Sequence, residues 1–164
     1  MKATELLRQD HDTVKKLFEE YETAGEAPED RAEIVENLIE ALLLHSVIEE
    51  EIFYPAVNES GAPDAETAVA KALSEHDEVK ALLTELFEMD AEDEPLYTEK
   101  VMALKSHVEQ HVAEEEGAIF ADAEKLGEDQ LLEIGEELES RKEELAEEGI
   151  DLDDEDDDDE SASE

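Results

Sequence analysis

The sequence predicts an all-α protein: an up-down-up-down four-helix bundle, a short fifth C-terminal helix and a disordered acidic tail. Three observations carry this. Apolar residues recur at helical spacing almost throughout, and no alternating stretch marks a strand. Four long helical stretches are joined by short connections, which favours antiparallel neighbours. The chain also repeats itself. Asp10-His11-Asp12-Thr13-Val14 parallels Glu75-His76-Asp77-Glu78-Val79, and His45-Ser46-Val47-Ile48-Glu49 parallels His111-Val112-Ala113-Glu114-Glu115. His76 follows His11 by 65 residues and His111 follows His45 by 66, so a whole helix pair recurs with one offset.

The first helix should span residues 4 to 24, with Thr4 as N-cap and Leu6, Leu7, Val14, Leu17, Phe18 and Tyr21 as its apolar stripe. Gly25 to Pro28 breaks it. The second should run from 29 to 57, with Pro55 near its end, and Asn58 to Asp64 forms a loop. The third covers 65 to 89. Pro95 suits the first turn of the fourth, which extends to 126. Gly127 separates a fifth helix over 129 to 147, with Leu131, Leu132, Ile134, Leu138 and Leu145 on its stripe. The expected organisation is a bundle over 1–126, a C-terminal helix over 127–149 packing on or extending it, and a disordered acidic tail over 150–164. A solvated tail is the first reading; a tail that binds calcium or a partner is the alternative.

Charge is extreme, with 54 acidic against 12 basic residues and a formal net charge of −42. Ten of the acids lie beyond Gly149, so −32 remains without them. Acid excess spread over a folded domain suits a high-salt cytoplasm, where screening suppresses self-repulsion; the alternative is an ordinary acidic protein. No basic patch exists to meet a nucleic-acid backbone. With no Cys, disulfides, thiolate metal sites and Cys nucleophiles are excluded. No apolar run reaches the length of a bilayer span, and the first residues lack a signal core, so a cytoplasmic protein is expected, away from membranes.

The chemistry lies in the histidines. His45 with Glu49, and His111 with Glu115, stand four residues apart, so each pair projects from one helix face. His11 and His76 fall in register on the other two helices. Antiparallel alternation should bring all four histidines to one end of the bundle. A lone His on a helix is usually solvated or hydrogen-bonded, but this set reads as a metal site. Ligation by nitrogen and oxygen alone suits iron, manganese or zinc. The set is too large for one structural zinc, and two carboxylates among imidazoles suit a pair of cations. Glu-x-x-His, the ferritin-type pattern, is missing: Arg8, Leu42, Leu73 and Val108 stand three before the histidines. Glu50, Glu51, Glu114 and Glu116 are expected on the surface or beside the ligands.

On these residues, together with Ile52-Phe53-Tyr54-Pro55 and Ile119-Phe120, the chain resembles the hemerythrin-like family and its HHE cation-binding domains, over residues 3 to 125. Helix five, with Arg141-Lys142, is similar to the usual C-terminal extension. The resemblance implies a non-haem centre of two iron ions, ahead of manganese or zinc, with Glu49 and Glu115 bridging and His11, His45, His76 and His111 as terminal ligands. It implies O2, NO or peroxide as the small ligand, and a role in oxygen or redox sensing or iron handling. Ala121 stands where the family often has Pro, and should straighten the end of helix four. Hemerythrins proper take a fifth His from helix three at His-x-x-x-His spacing; here Lys80 occupies that position. His107, one turn before His111, is the candidate replacement, and its counterpart in the first repeat is Ala41. An oxygen-binding protein is expected ahead of an enzyme that removes peroxide or nitric oxide, and ahead of a metal-stabilised structural bundle. A monomer or weak homo-oligomer is expected.

Overall fold

The computed structural model describes residues 1–149, all of whose regular elements are helices. The tail expected to be disordered, 150–164, lies outside the described residues. Helix α1 spans Ala3–Thr23 and α2 Pro28–Ile48; a π-helical turn, π1, covers Glu49–Phe53, and α3 is Tyr54–Asn58. Then come α4, Ala65–Glu88, and α5, Leu96–Glu114, a second π turn, π2, at Glu115–Ile119, and α6, Phe120–Glu124. Helix α7, Glu128–Glu148, closes the described chain. The four long helical arms form the antiparallel bundle, α1 against α2 and α4 against α5, joined through α2 and α4. Helix α7 lies across α1, α2 and π1.

Local sequence accounts for the ends. Pro28 sits in the first turn of α2, where its missing N–H costs nothing, and Glu29 and Asp30 favour the positive end of the helix dipole. Pro95 occupies the position before α5 rather than its first turn. Gly127 adopts φ 92° just ahead of α7, a conformation that side chains rarely take. Thr4 is not the cap of α1. The helix begins at Ala3, and the Thr4 hydroxyl donates instead to Glu124 at 3.2 Å. The start of the chain is held there because it crosses α7 at Gly135. A Cβ on Gly135 would lie 2.0 Å from the backbone oxygen of Met1.

The second and fourth helical arms each carry a π turn. At π1 the N–H of Tyr54 bonds the carbonyl of Glu49, five residues back, and at π2 the N–H of Phe120 bonds that of Glu115. Both widened turns start on a glutamate of the His-x-x-x-Glu pairs. Pro55 follows the first, but Ala121 stands at the matching place after the second, so the absent proline does not straighten the end of helix four. Burial of the glutamate and of the aromatic five residues on is common to both turns.

Two apolar clusters fill the interior. One gathers Leu6, Leu7, Ile48, Phe53, Tyr54, Val57, Ile119, Phe120 and the α7 stripe of Leu131, Ile134 and Leu138. The other gathers Val14, Phe18, Leu38, Leu83, Leu86, Val101 and Leu104. His11 lies on α1 between Leu7 and Val14, hence between the clusters. The polar layer therefore crosses the middle of the bundle instead of one end. Among the described residues no helix is long and apolar enough to cross a membrane.

Candidate metal centre

Six ionisable side chains meet in that layer: His11 from α1, His45 from α2, Glu49 from π1, His76 from α4, His111 from α5 and Glu115 from π2. Each is under a tenth exposed, and both glutamates are fully buried. Burying so many ionisable groups is costly unless they compensate one another or a ligand. All four Nε2 atoms face the carboxylates. His11 Nε2 is 3.1 Å from Glu115 Oε1, and His111 Nε2 is 3.3 Å from Glu115 Oε2. His45 and His76 place Nε2 3.1 and 3.2 Å from Glu49 Oε1. The Nε2 atoms of His76 and His111 are themselves 3.2 Å apart.

The far side of each ring explains this aim. Every Nδ1 donates to a carboxylate: His11 to Glu116 at 2.6 Å, His45 to Asp10 at 3.0 Å, His76 to Glu50 at 3.0 Å and His111 to Glu75 at 2.9 Å. With Nδ1–H so engaged, a neutral ring turns the Nε2 lone pair inward, the tautomer and orientation a metal needs. The internal repeat is visible in these bonds. Glu116 on His11 matches Glu50 on His76, and Asp10 on His45 matches Glu75 on His111.

Two groups of four donors result, each with its ligand atoms within 4.8 Å of one another. One is His11, His45, Glu49 and Glu115; the other is Glu49, His76, His111 and Glu115. Both glutamates belong to both groups. Two buried atoms, His45 Nε2 and Glu49 Oε2, lack a hydrogen-bond partner, and cations bound in these groups would satisfy them. The donor set thus fits two metal ions that share carboxylates.

Within the layer the repeat is broken at Tyr54. Tyr54 follows Glu49 by five residues, and Phe120 follows Glu115 by five. The Tyr54 hydroxyl donates to Glu115 Oε2 at 2.5 Å and stands 3.2 Å from both Glu49 Oε1 and His76 Nε2. Burial and the two carboxylates push its pKa far up, so it keeps its proton. Phe120 instead stacks on His11, with ring centroids 6.0 Å apart. Beside the cluster lies a cavity of about 20 Å³, lined by its four histidines, Ser46, Leu42, Val14, Val79, Val108 and Val112. That is room for one molecule of water size.

Burial opposes charge on His45, but Glu49, Asp10 and Glu115 outweigh it and hold the ring well above its ordinary value. Against the same opposition, Glu49 and Glu50 push His76 up to about 10, and Glu115 and Glu49 raise His111. Burial would raise Glu115, but contacts with Glu49, His11 and His111 hold it well below its ordinary value. The sign of the pH dependence follows. A raised imidazole stabilises the metal-free fold fully below about 6.5 and loses that contribution as pH climbs through the folded value. Glu115 contributes above its ordinary 4.5 and loses its contribution as pH falls through its depressed value. The melting temperature of metal-free protein should therefore fall between roughly pH 6.5 and pH 10. Divalent cations must displace those protons, so their affinity should rise over the same range. Calorimetric scans with and without added cation check both trends; a flat metal-free profile would contradict them.

His107 is not in the cluster. Its side chain is 44% exposed, and its Nδ1 lies 3.4 Å from Glu78 Oε2. His107→Ala is accordingly expected to leave the uptake of two cations unchanged, as elemental analysis would read. The sequence reading missed Asp10, Glu75 and Tyr54. Asp10 and Glu75 each precede a histidine of the cluster, but each bonds the histidine of a neighbouring helix. Tyr54 was hidden by periodicity. Five residues along an α-helix point away, whereas the π turn brings the fifth residue back to the same face.

The model of the hemerythrin HHE cation-binding domain matches residues 2–123. Among solved structures, the chain is similar to a hemerythrin HHE cation-binding domain-containing protein from Mycobacterium kansasii. The two are 27% identical with a TM-score of 0.77, over 88% of this chain and 86% of that one. A search of the curated proteins gave no match. The bundle, the paired His-x-x-x-Glu segments and the match over most of the chain agree: this protein belongs to the hemerythrin HHE cation-binding domain family.

Proposed function

We propose that this is a non-haem di-iron protein that binds O2 or a related small ligand such as NO or peroxide, in oxygen or redox sensing or in iron handling. The observation that carries the reading is the pair of four-donor groups sharing Glu49 and Glu115. Nitrogen and oxygen donors without sulfur suit iron, and a pair of iron ions would supply reversible redox chemistry toward dioxygen and its relatives. The chain's own part is to hold and shield. Asp10, Glu50, Glu75 and Glu116 orient the rings, the two apolar clusters exclude water from the layer, and the cavity beside the four histidines limits ligand size.

Peroxide or nitric oxide turnover at the same site is the second reading, and Tyr54 favours it. Its hydroxyl, which keeps its proton, places a hydrogen-bond donor among the ligands, where it could stabilise charge that develops on a substrate oxygen during reduction. The acid excess supports a working place in concentrated salt.

The test is metal content together with the optical spectrum of protein reduced anaerobically and then exposed to air. Two irons per chain and a spectrum that reverts when oxygen is removed support the binding reading. One metal per chain, or zinc alone after iron-replete expression, counts against it. Turnover of added peroxide that Tyr54→Phe abolishes would favour the second reading.

A further inference from the structure

The two halves of the centre differ in what stands behind them. Asp10 accepts from His45 Nδ1 through Oδ2, and its Oδ1 is gripped by the ammonium of Lys142 on α7. One residue earlier, Arg141 holds Glu51 in π1 at 2.7 and 3.3 Å. On the other half, Glu75 accepts from His111 Nδ1 but meets a second carboxyl, Glu114, which pairs with Lys71 at 2.8 Å. Helix α7 follows the repeat and has no counterpart within it, so its lysine falls on one half only.

We propose that Lys142 is a positioning residue for one of the two metal positions: by pinning Asp10 it fixes the ring of His45, making the position formed by His11, His45, Glu49 and Glu115 unlike the one formed by His76 and His111 with the same glutamates. The inference rests on the dinuclear reading above. Its physical basis is that a carboxylate on the outer nitrogen of an imidazole sets the orientation and donor strength of the inner nitrogen. An ammonium on that carboxylate restricts its movement and withdraws part of its charge. Asp10 is buried, while Lys142 is partly exposed. The lysine therefore links the surface of α7 to a ligand two bonded contacts away. Arg141 serves as an internal control, because it docks the same turn of α7 without touching Asp10.

The test is an anaerobic titration of the full chain with cobalt(II), followed by visible absorption, with circular dichroism to follow the fold. Wild type should take up two equivalents in steps of unequal affinity. Lys142→Gln should weaken one step about tenfold, the low end for such outer partners, and shift its absorption bands while sparing the other. Lys142→Arg should restore both features. Asp10→Asn cuts the same link from its other side and should alter the same step. Arg141→Gln should leave both steps as in wild type. Unchanged steps and bands in Lys142→Gln, whatever Asp10→Asn does, or the same change in Arg141→Gln, would overturn the proposal. Uptake of fewer than two cobalt ions by wild type would overturn the dinuclear reading with it, so the two failures are distinct.

Discussion

Glu49→Ala and Glu115→Ala are each expected to abolish tight binding of both cations. Either glutamate belongs to both donor groups, so one substitution removes a ligand from each position. It also leaves imidazoles facing an uncompensated buried space, since both glutamates are fully buried. A loss of at least 100-fold per ion is expected, on the order of or above the largest effects of outer partners. The neighbouring acids provide a graded comparison. Glu51 pairs with Arg141 in exposed surroundings, where such pairs contribute little, so alanine there should leave metal content intact. Glu114 pairs with the exposed Lys71 but also meets Glu75, the partner of His111, so its alanine variant should show a small loss, up to about tenfold. From helical phase alone, Glu50 and Glu116 would be equally silent. Their bonds to His76 and His11 change that expectation to an intermediate loss of about 10- to 100-fold. Metal-to-protein ratios under limiting iron would rank the six variants. Equal losses along either glutamate triplet would sink the assignment of the bridging pair.

That ranking also marks where sequence reading succeeds and where it stops. The helices, their order and the family are legible because they depend on apolar spacing, on Gly and Pro, and on a repeat that displays itself twice. The inner donors are legible for the same reason: His45 and Glu49, like His111 and Glu115, lie within one ideal turn. What was hidden depends on departures from ideal geometry or on contacts between helices. The π turns shift the phase after each glutamate, which brings Tyr54 inward. Asp10 and Glu75 look solvated among 54 acids, and only the packing of α1 on α2 and of α4 on α5 reveals their partners. His107 shows the opposite error. It shares a nominal face with His111, but one turn nearer the start of α5 that face opens toward Glu78 and solvent.

Melting temperature is expected to rise by on the order of 10 °C or more between about 0.1 M and 1 M salt, at about 2–4 °C per kcal/mol for a chain of this size. The cause is charge density. With −42 in all and −32 before the tail, acids far outnumber the bases that could pair with them, and the folded state confines them closer than the unfolded chain does. The Debye length falls from about 10 Å to about 3 Å over that range, below the usual spacing of surface carboxylates. Favourable pairs such as Arg31 with Glu94 and Lys105 with Glu22 are screened by the same salt. They are few against the acids, and exposed pairs contribute little each, so relief of repulsion should win. The layer of histidines and glutamates is buried and should respond far less. Deleting residues 150–164 separates the two sources of charge. If the acids of the bundle and α7 dominate, the truncated chain keeps most of the salt dependence. A melting temperature flat from low to high salt would remove the argument for work in concentrated salt, and a dependence that vanishes on truncation would assign it to the tail.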